Sequence, residues 1–325
     1  PLEAFAAPQS AELCRVSIGQ ARGFLSKAEI EGWRFETLDG QWRKLTKQSG
    51  PRPGELILLA SSTGGYDRQL GFTGPPAKKN ADPTPPVTLL EAGDSEAMGD
   101  DPKSFIDTWV RLEDHTDHVV AQLTRLADAL GIDARWRGWL ETAARWHDLG
   151  KAHPVFQEML LTPQPGSAQP AADPGILWAK SDHRRGRVKR RHFRHELASA
   201  LAFIQDRPNS RETNAVAYII AAHHGKVRLS IRSLPDEKRP KDDKLFARGI
   251  WHDDLLPATA LGAGQLTDPI ELDLSPMRLG PGSWLERCLD LRDATELGPF
   301  RLAFLESVLR LADQRASALE QQEKP

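Results

Sequence analysis

The sequence predicts a mainly α protein that carries a small α/β accessory segment at its N-terminus. Three observations lead there. From Ser104 onward, apolar residues recur with the 3.6-residue period of helices. Before residue 75 the pattern consists instead of short alternating runs and an apolar run flanked by turn residues. Between the two, the segments GPPAKKNADPTPP and EAGDSEAMGDD within Gly74–Asp101 have no means of burying a core.

Taken in order, WRFETLDGQWRKL at 33–45 places two alternating runs around Asp39-Gly40, a hairpin signal. ELILLASS at 55–62 reads as a buried strand, closed by the turn-prone TGGYD. The Pro/Gly/acidic interval reads as a linker or long surface loop, which divides the chain into 1–103 and 104–325. Helical stripes then cover 104–130, 136–160, 193–206 and 211–224, and 284–320 holds one or two further helices. Two irregular polar stretches, 161–192 and 225–283, separate them.

A hydrophobic content of 39% and a charged content of 27% are those of an ordinary globular protein. The net charge of −2 supplies no global attraction for nucleic acid, so any such role rests on local patches. Cys14 and Cys288 are far apart and in no metal-type spacing, which excludes cysteine-based zinc sites and points to a reducing compartment. No apolar run approaches the roughly 18 residues of a membrane span. The expected location is the cytoplasm. The chain begins with Pro1 rather than Met, so it is expected to be part of something longer.

The histidines carry the chemical signal. Leu140, Ala143, Ala144 and His147 recur at i, i+3, i+4 and i+7, so His147 continues an inward apolar stripe, and Lys151 lies one turn beyond on the same face. His115 shares a face with Leu112 and Val119, although Gln122 further along it is polar. His195 lies over Ala198, Ser199 and Ala202. His223 follows Ile219 and Ile220, His224 follows Ile220 and Ala221, and Gly225 ends that helix. A single inward histidine is ordinarily a core residue with a hydrogen-bond partner. Five on four helices, with Asp148 beside one of them, need many buried partners at once. One shared metal site meets all those needs, and imidazole and carboxylate suit Mn, Fe, Co, Ni or Zn.

These elements resemble the HD superfamily of metal-dependent phosphohydrolases, whose fold is a helical bundle. The ordered set is His115 in RLEDHTDHVV, His147-Asp148 in WHDLGK, His195 in RHELAS, His223-His224 in AAHHGK, and Asp313 in LRLADQRAS. Within that superfamily, 104–320 is most similar to the HD nuclease domain of the CRISPR-associated helicase–nuclease of type I systems. LASSTGGYDRQLGF at 59–72 resembles the segment before the HD domain in variants that carry it C-terminal to the helicase.

The resemblance implies two divalent ions, drawn from Mn, Fe, Co or Ni with Mg a further candidate. One would take His115, His147, Asp148 and Asp313; the other would take Asp148 as a bridge with His195, His223 and His224. It also implies that Asp148 and Lys151 serve catalysis, Lys151 by neutralising charge on the transition state. The implied partners are single-stranded DNA, the helicase portion of the same or a partner chain, and an RNA-guided surveillance complex.

HRRGRVKRRHFR at 183–194 packs seven basic residues beside His195, so Arg187, Lys189, Arg190 and Arg191 are expected at a polyphosphate backbone. Lys226, Arg228 and Arg232 after the HH doublet extend that patch. Of the other histidines, His118 is expected to support His115 from behind, His192 to contact phosphate at most, and His153, His183 and His252 to be surface or loop residues. The alternative is a small-molecule phosphohydrolase acting on nucleotides, its cyclic-dinucleotide version weakened because no GYP follows the HD. A third reading is a docking module whose metal is structural.

Overall fold

A computed structural model describes residues 13–26, 30–46, 50–67, 69–74, 108–162, 175–182, 189–205, 207–225, 227, 229–234 and 237–322. Eight α-helices and eleven short strands are found among them. The accessory segment opens with α1 (Ile18–Leu25), capped where Ser17 and Gln20 satisfy each other's backbone N–H. Strands β1 (Gly32–Glu36) and β2 (Gln41–Lys44) form the expected hairpin, with Gly40 at φ +67 in its turn. β3 (Ile57–Leu59) pairs antiparallel with β1 on the other side. The strand expected over 55–62 is therefore shorter and only half-buried, because a 3₁₀ turn takes over at Ser61–Thr63. β4 (Tyr66–Asp67) and β5 (Gly71–Phe72) make a minimal hairpin. The acidic interval, 75–101, lies outside the described residues.

The segment after residue 107 is a helical bundle. β6 (Val110–Arg111) leads into α2 (Leu112–Leu130), which ends at Gly131 in the left-handed region. α3 (Ala134–Trp146) starts at Asp133, whose carboxylate accepts from the N–H groups of Arg135 and Trp136. The expected helix over 136–160 is broken: α3 stops at His147, a 3₁₀ turn occupies Leu149–Ala152, and α4 (Pro154–Leu161) starts afresh. Pro154 at the first helical position and the His153 ring, whose Nδ1 accepts from the Val155 N–H at 3.1 Å, fix that new start.

β7 (Trp178–Lys180) returns to pair with β6. α5 (His195–Ile204) is buried along its whole length, the mark of a central helix. α6 (Arg211–Ala222) packs against it. The long stretch read as irregular holds β8 (Phe246–Ala247), β9 (Ile250–Trp251), β10 (Asp254–Leu256) and β11 (Ile270–Leu272) in two hairpins. Glu237 organises its first part, accepting from the N–H groups of Leu234, Arg248 and Gly249. α7 (Trp284–Asp293) and α8 (Gly298–Gln322) close the bundle, α8 lying against α2.

One hydrophobic cluster runs through α2, α3, α5, α6, α7 and α8, and it includes Leu38 from the accessory hairpin. The hairpin is further stitched on by backbone bonds from Ser233 to Thr37 (2.7 Å) and from Phe246 to Leu38 (2.9 Å). No helix among the described residues is long and apolar enough to cross a membrane.

Candidate metal centre

Helix ends deliver most of the centre. His147 is the C-cap of α3 and His223 that of α6, while His195 opens α5. Asp148 and Lys151 sit in and just before the 3₁₀ turn that breaks the helix. His115 lies in the first turn of α2 and Asp313 midway along α8. The break explains why a doublet of neighbours can reach one point: leaving the helix at residue 147 frees Asp148 from the helical phase.

Gly150 makes the turn fit. A Cβ there would lie 2.1 Å from the His195 carbonyl oxygen and 2.8 Å from Ala198 Cβ, so only glycine lets the turn lie on α5. The Gly150 N–H donates to Ser199 Oγ at 2.8 Å, which locks this approach.

The two oxygens of Asp148 face different groups. Oδ2 is 3.4 Å from His115 Nε2 and 3.4 Å from His147 Nε2; Asp313 Oδ1 joins that side, 3.3 Å from His115 Nε2. Oδ1 is 3.2 Å from His195 Nε2 and 3.9 Å from His223 Nε2, with His224 Nε2 3.1 Å from His195 Nε2. Two groups of donor atoms, each within 4.8 Å of one another, result: His115, His147 and Asp148, and Asp148, His195, His223 and His224. Asp313 falls outside the first group as so defined and reaches it through His115. His224 is half-exposed, the others buried, so the centre opens on the His224 side.

The outer faces of the rings fix their orientation. His147 Nδ1–H donates to Ala144 O at 2.7 Å and His223 Nδ1–H to Ile220 O at 2.6 Å. A carbonyl only accepts, so in each neutral ring Nε2 keeps the lone pair that points inward. The Nε2 atoms of His115, His147 and His223, and Asp148 Oδ1, have no hydrogen-bond partner although buried. Such orphans are costly unless something else satisfies them. Borderline nitrogen and hard oxygen donors converging in this way fit a divalent metal.

Burial penalises every charge here, and the neighbours decide the outcome. It would raise Asp148, but the neighbouring His147, Lys151 and His115 side chains hold its carboxyl well below the usual carboxylate range. Asp313 behaves likewise, held down by His115. Burial and Lys180 both oppose charge on His115, yet Asp148, Asp313 and Glu320 outweigh them and bring it up to about 10. His223 is pushed well below its ordinary value by burial, then by His224 and His147. His115 thus faces a carboxylate-rich corner that favours its charged form.

Lys151 was expected on the inward face; it is buried, and its Nζ lies 2.8 Å from Asp148 Oδ2. The basic patch is only partly described. Arg187, Lys226 and Arg228 lie outside the described residues, as does His183. Arg190, expected at a phosphate backbone, has its guanidinium 2.5 Å from Asp254 Oδ2 and stacked 3.7 Å over the Trp251 ring. Lys189 is exposed and pairs with Glu158, Arg191 is exposed, and Arg232 is half-buried.

His153, expected at the surface, is buried, with Nε2 3.2 Å from Asp254 Oδ2, a partner too distant in sequence for the local pattern to signal. His192, expected to contact phosphate at most, is buried too, at φ 64. His252 is half-exposed between Asp253 and Asp273. His118 stands behind His115, its Nδ1 2.9 Å from Glu320 Oε1. Sequence reading missed Glu320, whose Oε1 is 2.8 Å from His115 Nδ1. Its spacing from Asp313 (i+7, one helix face) was the available signal.

Histidines and carboxylates converging on a His-Asp doublet from separate helices of one bundle define an HD-type, metal-dependent hydrolase. A family model described as Cas3, HD domain matches residues 105–289. That is more than half of the 325 residues, and the chain belongs to this family, a CRISPR-associated HD nuclease family. The match stops before α8, so Asp313 and Glu320 lie beyond it. Comparisons with curated proteins and with solved structures gave no match.

Proposed function

We propose that this chain is a metal-dependent nuclease that cuts phosphodiesters of single-stranded DNA in type I CRISPR interference, coupled to a helicase on the same or a partner chain. The target strand would be delivered by an RNA-guided surveillance complex. The observation that carries the reading is the division of Asp148: one oxygen toward His115 and His147, the other toward His195 and His223. A carboxylate can serve two cations at once because it has two oxygens, whereas an imidazole offers one inward lone pair. On this reading His115, His147, Asp148 and Asp313 hold one divalent ion, and Asp148, His195, His223 and His224 hold a second.

Two such ions, drawn from Mn, Fe, Co, Ni or Mg, would supply a hydroxide nucleophile at neutral pH and neutralise charge on the attacked phosphate. The chain's own residues do the rest. Asp148 stays ionised and fixes the spacing of the two halves. The Nδ1–H bonds of His147 and His223 hold their rings in one tautomer. Lys151, within ion-pair distance of Asp148, places a cation where charge develops at the scissile group. Arg191 and Lys189, exposed on the segment leading to His195, and Arg232, after the HH doublet, would track the strand. Arg187, Lys226 and Arg228 belong to the same proposed patch by sequence. Arg190, which also contacts Asp254 and Trp251, belongs to the same proposed patch.

The test is cleavage of single-stranded DNA by metal-supplemented protein, wild type against Asp148→Ala. Nicking by wild type alone supports the proposal. Intact DNA, with inorganic phosphate or triphosphate released from free nucleotides, supports the small-molecule alternative instead.

A further inference from the structure

Behind His115, on the side away from Asp148, lies a buried polar network that the metal centre itself does not explain. Lys180 of β7 is 1% exposed, a position that lysine almost never takes without partners. Its Nζ is 2.9 Å from Glu320 Oε2 and donates to Ser317 Oγ. Glu320 Oε1 in turn accepts from His115 Nδ1 at 2.8 Å and from His118 Nδ1 at 2.9 Å. Ser317 Oγ donates to Asp313 Oδ1 at 3.3 Å. Two chains of contacts therefore run from one ammonium, Lys180–Glu320–His115 and Lys180–Ser317–Asp313.

Both end on the Oδ2 side of Asp148. The rings of His147 and His223 are held by carbonyls of their own helices instead. On the Oδ1 side, the nearest carboxylate to His195 Nδ1 is Glu196 at 3.7 Å, beyond hydrogen-bond reach. The network also ties three separate elements, α2, β7 and α8, at one point. A buried Lys–Glu pair contributes little net stability, since desolvating both charges offsets their attraction. What such a pair can do is set the geometry of the groups it touches.

We propose that Lys180, Ser317 and Glu320 are positioning residues for one half of the metal centre, orienting His115 and Asp313 while leaving the His195/His223/His224 half untouched. The inference rests on the two-ion reading above. Glu320 keeps the hydrogen of His115 on Nδ1, so that Nε2 is presented to the cation. Ser317 holds the Asp313 carboxylate against the same corner. Lys180 balances both carboxylates without itself reaching the site.

The experiment is equilibrium binding of Mn²⁺ to the full chain, by calorimetry and by competition with a chelator, for wild type and for Glu320→Gln, Glu320→Ala and Ser317→Ala. Far-UV circular dichroism and thermal unfolding accompany each variant. The expected result is two ions in wild type, with Glu320→Ala weakening one of them by about 10- to 100-fold and leaving the other unchanged. Glu320→Gln, which keeps an acceptor for His115 Nδ1–H, recovers part of that loss, and Ser317→Ala weakens the same ion less. If Glu320→Ala fails to fold, Glu320→Gln and Ser317→Ala carry the test. Equal weakening of both ions, or wild-type binding in a folded Glu320→Gln and Ser317→Ala pair, overturns the positioning role but not the two-ion reading. Wild-type protein that binds no ion, or one ion only, overturns that reading and this inference with it.

Discussion

Asp148 and its neighbours show how burial and charge divide labour at single residues. Held ionised against burial by His147, Lys151 and His115, Asp148 needs positive charge beside it, and His115 supplies part of that charge. The sign follows from its value of about 10, raised above the ordinary 6.5. Protonated His115 contributes stability that is fully present below about pH 6.5 and is lost as pH rises through about 10. A cation entering the corner must expel that proton. Metal binding at neutral pH should therefore release about one proton and tighten as pH rises. Calorimetry in two buffers of different ionisation enthalpy measures this; no proton release would show that His115 is not displaced. Lys151→Met should lower kcat by about 100-fold or more with KM little changed, as for loss of one transition-state contact. Steady-state kinetics on single-stranded DNA decide between that and a change in KM alone.

At the level of elements, the break after α3 is the feature on which the site depends, and Gly150 makes it sterically feasible. Gly150→Ala should cost about 1–3 kcal/mol, because its Cβ would meet backbone rather than a side chain that can swing away. Urea unfolding measures the loss, and a variant as stable as wild type would mean that the turn and α5 can part without cost. The segment leading to His195 is held by Asp254, which joins His153, Arg190 and the Trp251 N–H. Asp254→Ala should loosen 189–194, read as faster limited proteolysis there and weaker metal binding on the His195 side. Unchanged proteolysis would assign the hold to other contacts.

For the molecule as a whole, what the sequence made legible follows physical range. The periodicity of α2 reported its inward face, because burial against one core imposes it, whereas α5 is buried on every side. The burial of His115, His147, His195 and His223 agrees with the inward phase read for each from the sequence. The break at His147 was hidden, since LGKAH continues an apolar pattern and only the contact of Gly150 with α5 reveals the turn. The burial of His153, the engagement of Arg190 and the network on Lys180 depend on distant partners, such as Asp254, 64 residues from Arg190, and Glu320, 205 residues from His115, which no local pattern encodes. The accessory hairpin reads as a separate unit locally, yet Leu38 belongs to the main core. Truncating the chain before residue 104 should therefore expose apolar surface and lower the melting temperature, checked by calorimetry; an unchanged transition would make the hairpin dispensable.

The central claim is that Asp148 joins two metal positions in one centre. Metal stoichiometry of the purified chain, titrated with Mn²⁺ in wild type and Asp148→Asn, tests it most directly. Two ions in wild type, with both weakened together in the variant while the fold persists, is the predicted result. A folded Asp148→Asn protein that still binds two ions with wild-type affinity would contradict it.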